Sequence, residues 1–265
     1  AISDCTFSVK KGEKIMLCGA SGSGKSTLLR LLKRELSPRG ELSGNITLMG
    51  KDRSELSDRE SAEKIGFVMQ SPDSQTVCDK VSAELAFGLE SFGVKSGEIQ
   101  SRVGEMAAFF GIEPLYDRDI STLSGGQKQL VALCSVMATD PDILLLDEPT
   151  AQLDPVAARE LLGILDCLNK EMGVTIIIAE HDPEELFDSC DKILYLAKGK
   201  TEFFGTPALT AKYFVENALE GFLPETAKAF ARLCDDLPLN VRQGRAKLEK
   251  LGVTDIPKQA VTDTE

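Results

Sequence analysis

Short apolar runs alternate along the chain with longer stretches in which apolar residues recur every three or four positions. The short runs predict buried strands, and the longer stretches predict amphipathic helices. The predicted strands cover residues 13–18, 65–69, 143–146, 174–179 and 192–196, and the predicted helices begin near Leu28 and cover about 98–111, 126–138 and 155–171. This alternation is typical of an α/β protein with a mostly parallel sheet covered by helices.

Other parts of the chain have a different pattern. Residues 44–49 and 195–204 predict two tight antiparallel pairs, the second turning through Lys198, Gly199 and Lys200. The first residues predict a strand already under way at the start of the sequence. After Gly205 the pattern is helical only and is interrupted by prolines. We therefore predict a main domain over 1–205 and a helical C-terminal extension over 206–265, whose last ten residues are expected to be loose.

Composition narrows the functional classes. No apolar run approaches the roughly 18 residues that a membrane span needs. The net charge of -12 argues against a nucleic-acid partner, because such binding draws on basic patches. The seven cysteines are scattered and form no Cys-x-x-Cys pair, which is typical of reduced thiols in a cytosolic protein.

A glycine-rich loop follows the first predicted strand and precedes a predicted helix. It has the pattern Gly-x-x-x-x-Gly-Lys-Ser, in which backbone N–H groups and a helix N-terminus can surround phosphate oxygens. We expect Lys25 to reach the β- and γ-phosphates of a nucleotide and the Ser26 hydroxyl to bind Mg²⁺. The predicted phosphate-binding residues are Gly19, Ala20, Ser21, Gly22, Ser23, Gly24, Lys25, Ser26 and Thr27.

Three further candidates follow predicted strands, at the edge of the sheet where ligands collect. Asp147 and Glu148 end the run 143–146. Asp147 is suited to the Mg²⁺ shell and Glu148 to polarising a water that attacks the γ-phosphate. His181 follows the run 174–179 and is the only histidine. A lone histidine is usually structural, but its position here favours a contact with the γ-phosphate or the attacking water.

A second glycine motif opens the predicted helix 126–138. It consists of Leu123, Ser124, Gly125, Gly126 and Gln127. One interpretation is an ordinary serine N-cap; the other is a second anion site at a helix N-terminus. Two such helix starts about 100 residues apart suggest that phosphate is held from two sides.

Together these motifs closely resemble those of the ATP-binding cassette (ABC) ATPases, in family order over about residues 4–204. The loop 19–27 resembles their Walker A motif, 123–129 their signature motif and 143–148 their Walker B motif. Gln70 resembles their Q-loop glutamine, Asp154 their D-loop aspartate and His181 their switch histidine. The resemblance implies a P-loop NTPase fold with a RecA-like parallel core, an antiparallel β subdomain, a helical subdomain inserted at about 72–138 and a helical C-terminal extension.

The resemblance also implies ligands and partners. ATP and Mg²⁺ are the expected cofactors, with Ser26, Gln70 and Asp147 at the metal. Two cassettes of this family dimerise head to tail, so the motif 123–127 is expected to close over ATP held by a partner cassette. Glu148 and His181 are the expected catalytic residues.

A finer resemblance is to the energy-coupling-factor (ECF) group, which imports vitamins and transition-metal ions. The segment 67–75 is similar to that group's Q-loop, and Val81–Glu90 resembles the segment facing the membrane subunit, which is therefore expected to be contacted near Gln70 and 81–90. The tail 223–245 resembles versions with two fused cassettes. The expected location is the cytoplasmic face of the cell membrane, as a peripheral subunit. The sequence does not identify the transported substrate or the partner cassette.

The chain departs from the family pattern in two ways, and two other classes of protein are considered as alternatives. Gln152 stands where glycine is commoner in the D-loop, and the aromatic that stacks on adenine in this family normally lies upstream of Ala1, which predicts weaker nucleotide binding by this chain. A non-transport ABC ATPase of DNA repair, translation or iron–sulfur assembly is the main alternative. The short interval between the two glycine motifs and the acidic charge disfavour the DNA-repair form. A small GTPase would need Asn-Lys-x-Asp, and the segment 169–172 fails that pattern.

Overall fold

The apolar runs form the strands of one six-stranded sheet. The computed structural model of the protein describes residues 2–181, 183–234 and 236–250. The strands of the large sheet are β1 (Lys14–Cys18), β4 (Ile65–Val68), β5 (Ile143–Asp147), β6 (Thr175–Ala179), β7 (Lys192–Ala197) and β8 (Lys200–Gly205); β2 (Thr47–Leu48) and β3 (Lys51–Asp52) form a separate pair.

The large sheet has the strand order β4-β5-β6-β1-β7-β8. All neighbours are parallel except β7 and β8, which form an antiparallel hairpin. The hairpin turns at Lys198 and Gly199, both with positive φ (50° and 82°), as a two-residue turn of the I′ type requires. The predicted sheet and its antiparallel edge are thus confirmed, and the loops after β1, β4, β5 and β6 meet at one edge.

Helices cover both faces of the sheet. Successive residues of β1 point to opposite faces: Ile15 and Leu17 pack with the helix Lys25–Leu32, and Met16 packs in the larger core that contains most other helices. The helices are α1 (Lys25–Leu32), α2 (Asp58–Lys64), α3 (Val81–Ser91), α4 (Ser96–Phe110), α5 (Gly125–Met137), α6 (Pro155–Met172), α7 (Pro207–Glu216), α8 (Glu225–Phe230) and α9 (Val241–Lys250). In the part of the chain that is described, no helix is long and apolar enough to cross a membrane.

Two local predictions are wrong. The first described residues are not a strand, although Cys5, Phe7 and Val9 pack on the core. Asp4 has φ 49°, which breaks the extended path, and Ser3 donates one backbone hydrogen bond to Gly199 O at 2.8 Å. The pair predicted within 44–49 is shifted, because the turn falls at Met49 and Gly50 and leaves only two-residue strands on either side.

The predicted domain boundary at 205 does not interrupt the hydrophobic core. Helix α7 packs against the hairpin, and its Ala211 and Phe214 are fully buried in the same core as Phe187 and Tyr195. Helices α3, α4 and α5 pack against one another within the predicted insertion 72–138. The division into a cassette, an inserted subdomain and a C-terminal extension stays a prediction, and the tail expected to be loose lies outside the described residues.

Candidate nucleotide-binding site

The glycine-rich loop connects the central strand β1 to α1. Gly19, Ala20, Ser21, Gly22, Ser23 and Gly24 form the loop, and Lys25, Ser26 and Thr27 form the first turn of α1. Gly24 caps this helix with φ 109°. Gly19 has φ 147°, and a Cβ built on it would lie 2.2 Å from the backbone oxygen of Leu196. The loop is therefore held against β7, and only glycine fits at its first position.

Lys25 lies buried beneath the loop and is 4% exposed. Its Nζ donates to the backbone oxygen of Gly19 at 2.8 Å and lies 3.8 Å from Glu148 Oε1. Burial lowers the pKa of this amine, and the charge of Glu148 opposes the shift. The ammonium group is thus held under the loop by acceptors that a nucleotide phosphate could replace.

The loop residues fit a bound phosphate and metal. The hydroxyl of Ser23 is buried and has no hydrogen-bond partner among the described residues, so it is a polar group that a ligand could satisfy. Ser26 Oγ lies 2.7 Å from Asp147 Oδ1, which brings a hydroxyl and a carboxylate together as Mg²⁺ ligands require. No group of three or more Asp, Glu, His or Cys that could hold a metal occurs among the described residues.

Glu148 is the residue on which the candidate side chains converge. It follows β5 with φ 49°, a backbone conformation that is unusual for any residue other than glycine. Its N–H donates to Ala179 O at 2.9 Å. Its Oε1 lies 2.9 Å from His181 Nε2, and its Oε2 accepts from Gln70 Nε2 at 3.0 Å. Gln70 contacts Glu148 rather than Asp147 or Ser26, so its role as a metal ligand stays a prediction.

The second glycine motif lies elsewhere on the surface. Ser124 is exposed and caps α5 in a capping box with Gln127, while Leu123 is buried. Within the described ranges, no hydrogen bond or ion pair joins residues 123–127 to the loop 19–27. Gly125 and Gly126 instead lie close to Gln152 and Ala157 of the same chain. Asp154 caps α6 by accepting from Val156 N and Ala157 N at 2.9 and 3.1 Å.

Sequence reasoning missed several residues that hold these groups in place. Gln75 accepts from Met69 N at 2.9 Å and donates to Phe67 O at 3.2 Å, so its amide fixes the end of β4 beside Gln70. Glu180 is buried next to His181 and accepts two hydrogen bonds from Thr150. A charged residue directly after a mostly apolar strand was the available signal for Glu180.

Comparison with known proteins identifies the family. A family model described as "ABC transporter" matches residues 2–151. An ABC transporter ATP-binding protein of Bacillus thuringiensis subsp. konkukian is 39% identical over 267 residues, which are 100% of this chain and 48% of that relative. A relative of the same description from Methanosarcina acetivorans is 33% identical over 264 residues, 96% of this chain and 78% of the relative.

Two solved structures have the same fold. The protein cbiO1 of Clostridium perfringens, described as part of the ABC transporter complex cbiONQ, is 32% identical with a TM-score of 0.73, over 93% of this chain and 92% of that chain. The ATP-binding cassette MJ0796, described as a dimer in a post-hydrolysis state with ADP and Pi, is 27% identical with a TM-score of 0.67, over 78% of this chain and 90% of that chain.

The chain therefore belongs to the ABC transporter family of ATPases, and its fold is the P-loop NTPase fold of an ATP-binding cassette. It spans about half the length of the Bacillus relatives it matches.

Proposed function

We propose that this chain binds MgATP at the loop 19–27 and hydrolyses it with Glu148 as the general base. The supporting observation is the convergence of three side chains on one carboxylate: Lys25, Gln70 and His181 all lie within 4 Å of Glu148 oxygens. Three groups from different parts of the chain thereby orient one acceptor beside the phosphate loop, as a water-activating base requires.

Each residue has a distinct role in this proposal. Lys25 and the N–H groups at the start of α1 hold the β- and γ-phosphates. Glu148 accepts a proton from the attacking water, and His181 orients that water and the γ-phosphate. Ser26 and Asp147 would hold Mg²⁺, which supplies charge neutralisation on the phosphate oxygens when bound.

The site is proposed to be completed by a second cassette. Ser124–Gln127 present an exposed, capped helix N-terminus that no described hydrogen bond or ion pair connects to the phosphate loop of the same chain. A helix N-terminus carries positive potential and free N–H groups, so it can bind the γ-phosphate of ATP held by a partner. The dimeric description of MJ0796 supports this arrangement. The partner is a second copy, a related chain or a cassette fused to this one.

We expect Ser124→Arg to lower the ATP turnover number about 100-fold while leaving ATP affinity within about twofold, because the added side chain blocks only the partner's phosphate. Fluorescent-nucleotide titration and phosphate release measure the two quantities. The matched control is Ser57→Arg, since Ser57 caps α2 in the same kind of capping box away from the site. Equal losses of turnover in the two variants would contradict the assignment.

More specifically, we propose that ATP hydrolysis by the chain energises an ECF-type importer of a vitamin or transition-metal ion. The support is the ECF-like segment 67–75 and the similarity to cbiO1, which is described as part of cbiONQ. The membrane subunits would dock near Gln70 and α3, where Val77 and Phe87 are 65% and 42% exposed. On this proposal the protein is a peripheral subunit at the cytoplasmic face of the membrane and has no nucleic-acid partner.

The importer proposal is tested by purifying the full-length protein from mildly solubilised membranes. Co-purification with integral membrane proteins, identified by mass spectrometry, is expected, and the substrate-binding subunit would be among them. Recovery with ribosomes, DNA or iron–sulfur assembly proteins instead would favour a non-transport ABC ATPase.

Val77→Glu is expected to release the membrane proteins without changing ATP affinity, since it places a charge on the exposed apolar surface.

A further inference from the structure

Glu180 is a buried carboxylate to which the proposed mechanism gives no task. It is 4% exposed and directly follows β6, between that strand and His181. Its N–H donates to Leu17 O at 3.2 Å, which continues the pairing of β6 with β1. The backbone of Glu180 is thereby fixed to the central strand of the sheet. Its side chain extends from this backbone position to the loop that follows β5.

The partner of Glu180 in that loop is Thr150. Glu180 Oε1 accepts from Thr150 N at 3.0 Å and from Thr150 Oγ1 at 2.7 Å. A buried backbone N–H needs a partner, and here a side-chain carboxylate takes the place that a backbone oxygen usually has. Together with the hydrogen bond from Glu148 N to Ala179 O, these two bonds tie the loop segment 148–151 to β6 and to the residue that follows it.

Thr150 lies between Glu148 and the turn that leads to Asp154. Its carbonyl oxygen accepts from Leu153 N at 3.0 Å, and Glu148 O accepts from Ala151 N at 3.2 Å. Glu148 itself has φ 49°. A residue in this conformation persists only where its surroundings fix it. The two hydrogen bonds from Thr150 to Glu180 supply such a constraint two residues after Glu148.

The charge surroundings of Glu180 agree with a structural acceptor. Burial raises the pKa of its carboxyl, and the hydrogen bonds from Thr150 oppose that shift. The charged groups near it are Glu148, which disfavours its ionised form, and Lys25, whose amine interacts with both carboxylates. Glu180 is buried, and its Oε1 is already bonded to Thr150.

We propose that Glu180 is a positioning residue: through Thr150 it fixes the backbone turn that aims Glu148 at the γ-phosphate and begins the Asp154 loop. His181, the next residue, contacts the Glu148 carboxylate directly. The two residues that follow β6 therefore position both the backbone and the carboxylate of Glu148. The inference rests on the proposed role of Glu148 as general base.

The first test is Glu180→Ala in the full-length protein. A displacement of about 1 Å in a reacting group can cost about 100-fold in rate, so kcat for ATP is expected to fall between about 10- and 100-fold. KM and nucleotide affinity should stay within about twofold, because the phosphate loop is untouched. Glu180→Gln should recover most of kcat, since an amide oxygen can accept both hydrogen bonds from Thr150.

The reciprocal test is Thr150→Val, which is nearly isosteric and keeps the N–H while losing the hydroxyl donor. It should lower kcat less than Glu180→Ala, and adding it to Glu180→Ala should cause little further loss. The control is Glu13→Ala, which removes a carboxylate that also accepts two donors, Lys10 N and Lys192 Nζ, at the opposite edge of the sheet. This control should retain wild-type kcat.

The outcomes separate the inference from the function on which it rests. Wild-type kcat in Glu180→Ala overturns the inference, and so does a Gln variant as impaired as the Ala variant. If Glu180→Ala fails to fold, Thr150→Val decides, and wild-type kcat in that variant overturns the inference. Glu148→Gln is run in parallel: normal hydrolysis there overturns the proposed base, whereas loss of hydrolysis there with normal Glu180→Ala overturns the positioning role alone.

Discussion

Glu148→Gln is expected to lower kcat for ATP by about two to four orders of magnitude, the contribution typical of a positioned general base. The amide keeps the size of the side chain, and its single oxygen can still accept the hydrogen bond from Gln70. It cannot take a proton from water. ATP binding should therefore persist, and the nucleotide-bound dimer should accumulate because hydrolysis no longer opens it.

The measurements are phosphate release under saturating MgATP and size-exclusion chromatography with and without ATP. Glu13→Gln is the matched control, since Glu13 is a partly buried carboxylate bonded to Lys192 at the far edge of the sheet. The assignment of Glu148 fails if its glutamine variant hydrolyses ATP at the wild-type rate. It also fails if the loss of activity comes only from a loss of ATP binding.

Gly19→Ala is expected to abolish measurable ATP binding and to destabilise the fold by about 3 kcal/mol. Two effects combine: a residue with φ 147° is strained once it carries a Cβ, and the new Cβ would lie 2.2 Å from Leu196 O. The obstacle is a backbone atom of the sheet, which cannot rotate away. The loop must then move from β7, and the N–H groups that face the phosphates move with it.

Urea unfolding and nucleotide titration measure the two parts of this prediction. Gly163→Ala in α6 is the control, because the helical backbone accepts alanine and nothing lies within 4 Å of the added atom. That variant should gain about 0.5–1 kcal/mol and bind ATP normally. Wild-type stability and affinity in Gly19→Ala would show that the loop is not held against β7 as described.

The central fold could be predicted because its strands are short, mostly apolar runs followed by glycine or acidic residues. Ile143–Asp147 and Thr175–Ala179 are examples. Parallel strands buried on both faces are nearly continuous apolar runs, so this pattern can be detected without knowledge of the neighbouring strands. The edge elements were harder. Residues 2–10 alternate like a strand, but one residue at positive φ, Asp4, turns the chain out of the ladder.

Helix α2 was missed although its start carries a clear signal, Ser57 and Glu60 in a capping box. The helix has seven mostly charged residues and little apolar periodicity, so hydrophobic patterning does not detect it.

For the candidate site, the motifs predicted which residues approach the nucleotide but not what holds them. The hydrogen bonds of Gln75 to Phe67 and Met69 depend on the turn between them, and the bond of Glu180 to Thr150 spans 30 residues. Such supporting contacts depend on three-dimensional placement and have no fixed spacing. A charge directly after a mostly apolar strand could have singled out Glu180, but that signal does not indicate its partner.

The position of β1 in the sheet has a consequence for how the protein folds during its synthesis in the cell. This strand, which carries the phosphate loop, lies between β6 and β7, the strands that begin at residues 175 and 192. During synthesis the loop therefore emerges early but has no lateral neighbours until most of the chain has left the ribosome. Contacts this distant in sequence form slowly. A ligand that binds only the finished sheet adds about 2.7 kcal/mol at 100 times its Kd. ATP in the cell would then stabilise newly made chains by binding to the completed sheet, before those chains hydrolyse it.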